Sequence, residues 1–339
     1  MRSPGTSTET NTVTVLTTLE EQARTNDSGH LTIYGVMDGS DFTNIMLPFF
    51  TNIYPWVSVQ YESLDTADIS TRAISEFQAN HVTADVLITA GQLQVLLEGQ
   101  GVITNASTRM EQLMNYPTGS YDPNGFWHPA HVNYAVILRN TNLNPTQQIF
   151  KYEDLADPKW NNKIAMDNPA DINTAGGLFI GLHSVWNETY WNATMSAIAN
   201  NNPVITPGAG DTYNGVKTGE WPLGIGFIND YLGGIETNDP VAIDWVAPAV
   251  YTANAASMTK NAPHPFMAQL FLQFWASFAG QAAIAASARI PSHPGVAALT
   301  TLAGVLPSGI QTIRAGDGTD LWQNPDKWVN IMHELFGSV

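Results

Sequence analysis

The sequence predicts an α/β chain of two doubly wound lobes joined by a pair of extended strands. Three observations lead there. The chain has 339 residues, more than one small core absorbs. Strand-like and helix-like segments alternate from Leu31 to Gln100, and again from Lys163 to Tyr231. Two extended runs, Ala130 to Arg139 and Ile243 to Pro248, sit where the chain would cross between lobes and return.

The first block opens with Leu31 to Val36, an apolar strand that ends in the polar turn Met37-Asp38-Gly39-Ser40-Asp41. Phe42, Ile45, Met46, Phe49 and Phe50 then recur at helical spacing, with Asp38, Ser40 or Asp41 as candidate N-caps. Val57 to Tyr61 alternates as a strand, Ile69 to Asn80 reads as helix, and Ala84 to Thr89 as a buried strand. A helix follows from about Gly91 to Gln100. This order implies a parallel sheet. In the second block, Lys163 to Met166, Pro203 to Thr206 and Leu223 to Ile228 are strands. Helices are expected near Gly176 to Ser184 and Asp211 to Thr218. The remainder is mostly helical, at Pro265 to Phe278, Gln281 to Ser287 and Pro325 to Phe336. The expected organisation is a polar tether over 1–29, with a short helix at Val13 to Glu21. Lobe 1 takes 30–131 and 253–310, lobe 2 takes 132–252, and a C-terminal helical segment over 311–339 packs on the lobes.

Composition excludes several classes. There is no cysteine, so disulfide scaffolds and thiolate metal sites are absent. Thirty acidic residues against 13 basic give a net charge of −17, which argues against nucleic acid as a partner. No stretch reaches the roughly 18 uninterrupted apolar residues of a membrane span. The greasiest region, Met267 to Ala288, is broken by Gln269, Gln273, Ser277, Gly280 and Gln281. No G-x-S-x-G elbow, P-loop, H-E-x-x-H motif or cysteine nucleophile is present, so the chain is not expected to be an enzyme. An enzyme acting on a small polar metabolite and a non-binding surface protein are the rival readings. Sequons at Asn26, Asn105, Asn187 and Asn192 fit an exterior location.

Four phrases resemble one family. Phe150-Lys151-Tyr152-Glu153-Asp154-Leu155-Ala156-Asp157-Pro158-Lys159-Trp160, followed by Lys163-Ile164-Ala165-Met166, is similar to a W-x-D-L-x-D-P-K-W-K-G-K-I segment. Ala84-Asp85-Val86-Leu87 resembles the strand that enters the family's first ligand loop. Gly219-Glu220-Trp221-Pro222-Leu223-Gly224-Ile225-Gly226 resembles a second-lobe strand, and Asn261-Ala262-Pro263-His264-Pro265 with Phe274-Trp275 and Gly280-Gln281-Ala282 is similar to a fourth segment of the family. In order, from Leu31 to about Pro294, these resemble the type-2 periplasmic-binding-protein fold, and within it the ferric-ion-binding group of extracellular solute-binding proteins. The resemblance implies a monomeric substrate-binding protein of an ABC importer. It implies an extracellular or periplasmic location, with tethering through a removed N-terminal segment. It also implies a small ligand captured by lobe closure about Val132 to Val136 and Ala247 to Thr252, and a membrane permease that receives it.

In doubly wound sheets, ligands sit beyond the carboxyl ends of strands, beside helix N-termini. The expected ligand-binding residues are Met37, Asp38 and Ser40 with Thr89 and Ala90 in lobe 1. In lobe 2 they are Thr174, Ala175, Gly176, Asp211, Asn229, Asp230 and Tyr231. Trp127 and Asn133 border the crossing strand. No catalytic residue and no cofactor are expected. Ferric ion is a candidate cargo: iron binders of the family carry adjacent tyrosines where this chain has Asp230-Tyr231, and these two would be the metal ligands. A small organic or phosphorylated anion is the other candidate, but no Arg or Lys lies in these loops, which argues against a doubly charged anion bound without a metal and keeps a neutral polyol or sugar open. His264 is expected to be scaffold. A zinc pair from His128 and His131 is disfavoured by Pro129, which spoils the helix such a pair needs.

Overall fold

A computed structural model describes residues 18–106, 108–116, 120–293, 295–296, 306–321 and 324–337. The strands are β1 (His30–Gly35), β2 (Ser58–Ser63), β3 (Val86–Ala90), β4 (Ile103–Thr104), β5 (His128–Asn140), β6 (Ile164–Asp167), β7 (Val204–Thr206), β8 (Leu223–Phe227), β9 (Val241–Asp244), β10 (Ala249–Thr259), β11 (Ile290–Pro291) and β12 (Thr312–Arg314). The chain divides into two compact units. The first takes the described residues up to His131, Asn254–Ser287 and the described part of Pro291–Ala297; the second takes Val132–Ala253, Ala288–Ile290 and the described residues beyond 305.

In the first unit β2, β1 and β3 are parallel, with Ile33 opposite Val86 and Gly35 opposite Ile88. The end of β10 closes this sheet antiparallel to β3, and β4 pairs with β10. Leu31, Ile33, Val86 and Ile88 face a core completed by Phe42, Phe50, Phe271 and Trp275. Phe42 stacks on Tyr61 at 3.9 Å between ring centroids. Residues 18–26, read from sequence as mostly tether, form a helix whose Leu19 and Ala23 are buried in this core. Residues 1–17 lie outside the described residues.

Two of the resembling phrases find scaffold explanations in this unit. Asp85 is fully buried, and one of its carboxylate oxygens accepts the Thr32 amide at 2.8 Å. The other accepts the His264 amide at 2.6 Å, and the His264 ring lies 3.0 Å from the carboxylate. One side chain therefore ties β1 to the start of the helix Pro265–Trp275. His264 is a partner of Asp85, in keeping with its expected scaffold role.

In the second unit β7, β6 and β8 are parallel, and β5 runs antiparallel between β8 and β9. The buried Arg139 donates from Nε to Asp244 at 2.7 Å, and Asp244 also accepts the amides of Gln148 and Ile149. The turn at Pro158–Trp160 is capped by Asp157 and drops Trp160 into the core. Gly219, at φ +81°, ends the helix Ala209–Thr218 in the left-handed conformation that glycine adopts without penalty. The helix Pro325–Phe336 packs on this unit through Trp328 and Met332, and Phe336 stacks on Phe179. His128 and His131 both lie on β5, where an i, i+3 pair points to opposite faces.

Candidate functional site

Each parallel sheet delivers its strand ends to the start of a helix, so each has a carboxyl edge rich in polar loops. At the first unit's edge, the chain leaves β1 through Val36, Met37 and Asp38 and enters helical turns at Gly39–Asp41. Asp38 is the cap: its Oδ1 accepts the Ser40 amide at 2.7 Å, the Ser40 hydroxyl at 2.5 Å and the Asp41 amide at 3.2 Å. Both Asp38 and Ser40 are exposed. Met37 is different. Its side chain lies in the core, its amide donates to the Tyr61 hydroxyl, and its carbonyl accepts from Tyr61 and Ser63. Thr89 is fully buried near the end of β3, and its hydroxyl has no hydrogen-bond partner among the described residues. Ala90 precedes the helix Gly91–Gly99 and supplies no side-chain cap.

The second unit's edge carries more chemistry. Asp167, the last residue of β6, is 2% exposed. Its carboxylate accepts the amides of Thr174 at 3.0 Å and Ala175 at 2.8 Å, the first turn of the helix Thr174–His183. A carboxylate at a helix start satisfies orphan amides and complements the helix dipole. It also fills the seat that an external anion would take. Thr174, Ala175 and Gly176 are all buried there. Gly176 has no alternative: a Cβ at this position would stand 2.0 Å from the Pro169 carbonyl oxygen.

After β8 the chain turns directly into the helix Ile228–Glu236, whose first turn holds Asn229, Asp230 and Tyr231. Three side chains form a line. Asn133 on β5 donates from Nδ2 to Asn229 Oδ1 at 2.5 Å, and Asn229 donates from Nδ2 to Asp230 Oδ1 at 3.3 Å. Asn133 Oδ1 and Asp230 Oδ2 are both buried and have no hydrogen-bond partner among the described residues. Burial pushes the Asp230 carboxyl up to about 6; the Arg289 guanidinium and the Phe227 backbone amide oppose that shift and the Asp167 charge adds to it. Asp167 is likewise pushed up to about 6 by burial, against the pull of the Thr174 and Ala175 amides. Tyr231 leans on the apolar cluster around Tyr134, Ile228 and Leu232. Asp211 stands apart from this line, exposed on the first turn of its helix, where its buried neighbour Thr212 shares a 2.6 Å hydroxyl contact with Thr206.

Two groups at this edge escaped the sequence reading. Asp167 read simply as the residue after a strand. Arg289 supplies a buried cation within electrostatic reach of Asp230, although the expected loops held none. It arrives from the short return Ala288–Ile290, which Ala288 enters at φ +59°. A bend of that kind leaves no periodic trace. Among the described residues no three His, Asp or Glu side chains group as metal ligands.

Known structures share this architecture. The periplasmic binding protein AfuA from Actinobacillus pleuropneumoniae, solved with fructose-6-phosphate, superposes with a TM-score of 0.76 at 19% identity, over 92% of this chain and 99% of that one. The ferric binding protein from Campylobacter jejuni gives 0.74 at 17% identity, over 90% and 99%. The substrate binding protein of an ABC transporter from Agrobacterium tumefaciens gives 0.75 at 19%, over 92% and 95%. At these identities the likeness establishes the fold, the two-lobed type-2 periplasmic binding protein. A family model for the bacterial extracellular solute-binding protein matches residues 50–304, about three quarters of the chain. This chain therefore belongs to the bacterial extracellular solute-binding protein family.

Proposed function

We propose that the protein captures a small polar organic solute at the carboxyl edges of its sheets and presents it, unchanged, to the permease of an ABC importer at the outer face of a membrane. The observation that supports this most strongly is the gathering of Asn133, Asp167, Asn229, Asp230 and Arg289 at one edge of the second unit. The buried carboxylates Asp85 and Asp244, which tie scaffold elements together, have both oxygens engaged. The line at this edge ends in two buried oxygens that no group among the described residues meets.

Similar proteins are named for fructose-6-phosphate and for ferric ion. Neither chemistry suits this edge well. A phosphate at the helix Thr174–His183 would compete with Asp167 for the same two amides. A ferric site would rest on Asp230 and the single Tyr231, beside the Arg289 cation. Solute contacts favour one arrangement of the two units over others, and flexing at Val132 to Val136 and Ala247 to Thr252 carries the change.

Thermal unfolding against a solute panel tests this reading. A ligand at 100 times its dissociation constant adds about 2.7 kcal/mol to stability, a rise of several degrees in Tm. Recovery of the solute chemically unchanged is expected. Turnover of the solute, or a Tm indifferent to every class of solute, contradicts the reading.

A further inference from the structure

Resting on that binding reading, we infer that the solute is a neutral polyhydroxylated molecule, a sugar or polyol, whose hydroxyls donate to Asn133 Oδ1 and Asp230 Oδ2. The polarity of the line follows from its last member. An ionised carboxylate only accepts hydrogen bonds, so Asn229 must turn its NH2 toward Asp230. That places Asn229 Oδ1 toward Asn133, which must present its own NH2 in turn. Asn133 is then left with its carbonyl oxygen, and Asp230 with its second carboxylate oxygen. Both ends of the line are acceptors, both oxygens are buried, and neither has a partner among the described residues.

A buried acceptor without a donor costs free energy comparable to a lost hydrogen bond, so the line fits a ligand that brings donors. Phosphates and carboxylates bring acceptors and negative charge, and both would meet the Asp230 carboxylate. An ammonium brings donors, but it would add a second cation where Arg289 already faces Asp230. Hydroxyl groups bring donors without charge. Each hydroxyl can also accept, so the same solute can take a hydrogen bond from a donor elsewhere in the site.

The test is calorimetric titration and thermal unfolding with four panels: neutral sugars and polyols, phosphorylated sugars, organic ammonium compounds, and ferric citrate. The expected result is a neutral polyhydroxylated ligand that binds and raises Tm, with the other panels weaker by roughly 10-fold or more. Asn133→Leu and Asp230→Asn are each expected to weaken it by roughly 10- to 100-fold, the effect of leaving a ligand hydroxyl against an altered partner. A Tm of the unliganded variants close to that of the parent shows that they fold. If phosphorylated sugars, ammonium compounds or ferric citrate bind best, the inference fails while the binding reading stands. If no panel binds, both fail. Binding of a neutral sugar at full strength by both variants would place the solute elsewhere and overturn the inference.

Discussion

Asp167 and Asp230 sit close enough to feel each other's charge, and burial holds both carboxyls near 6 instead of in the usual carboxylate range. A carboxyl raised in the folded state favours folding when protonated. That contribution is complete below the unfolded value of 3.8 and is lost as pH rises through about 6. Two pKa units correspond to about 3 kcal/mol for each group. Glu76, Glu111 and Asp239 are held below their ordinary values, so their stabilising share is lost only under more acid conditions. The protein should therefore melt several degrees higher at pH 5 than at pH 7.5. Asp167→Asn and Asp230→Asn should each flatten that slope, as scanning calorimetry across the pH range would read directly. A slope unchanged in both variants would mean that neither carboxyl is displaced.

At the scale of single elements, the helix Thr174–His183 depends on one glycine. A methyl group at Gly176 collides with the Pro169 carbonyl at 2.0 Å, and that atom is backbone with little freedom to move. Gly176→Ala should cost about 2–4 kcal/mol in denaturant unfolding, although alanine is the better helix former. The buried pair Arg139 and Asp244 joins β5 to β9 and secures the amides of Gln148 and Ile149. Asp244→Ala leaves a buried guanidinium and two amides without their acceptor, and should cost about 3–5 kcal/mol. The strands were readable from sequence because buried parallel strands are short apolar runs: β3 and β8 stand where Ala84 to Thr89 and Leu223 to Ile228 announced them. The loops at their ends followed from topology alone. What occupies the amides inside a loop did not follow, because Asp167 reaches seven and eight residues forward to Thr174 and Ala175 and no local pattern marks such a reach. Of the helix over residues 18–26, the sequence showed only the beginning, inside the short helix expected at Val13 to Glu21. Its buried face is only Leu19 and Ala23, too thin a stripe to stand out among polar neighbours.

For the whole molecule, charge and cargo are linked. A net charge of −17 on 339 residues makes the chain repel itself at low salt. Raising ionic strength from about 10 mM toward about 150 mM shortens the Debye length from roughly 30 Å to roughly 8 Å. Tm at pH 7.5 should rise over that range, and less so at pH 5, where part of the charge is neutralised. The same negative field disfavours anionic solutes over any distance at which they could be steered in, which agrees with hydroxyl donors meeting two buried acceptors. Small-angle scattering should report a smaller radius of gyration when solute is bound, and an unchanged radius with a bound solute would remove lobe closure from the mechanism.

The most direct measurement is a crystal structure of the protein with its bound solute. The account predicts a neutral polyhydroxylated molecule at the edge of the second unit, with one hydroxyl on Asn133 Oδ1, another on Asp230 Oδ2, and Asp167 still holding the amides of Thr174 and Ala175. A phosphate seated on those two amides, or a metal ion bound by Asp230 and Tyr231, would contradict it.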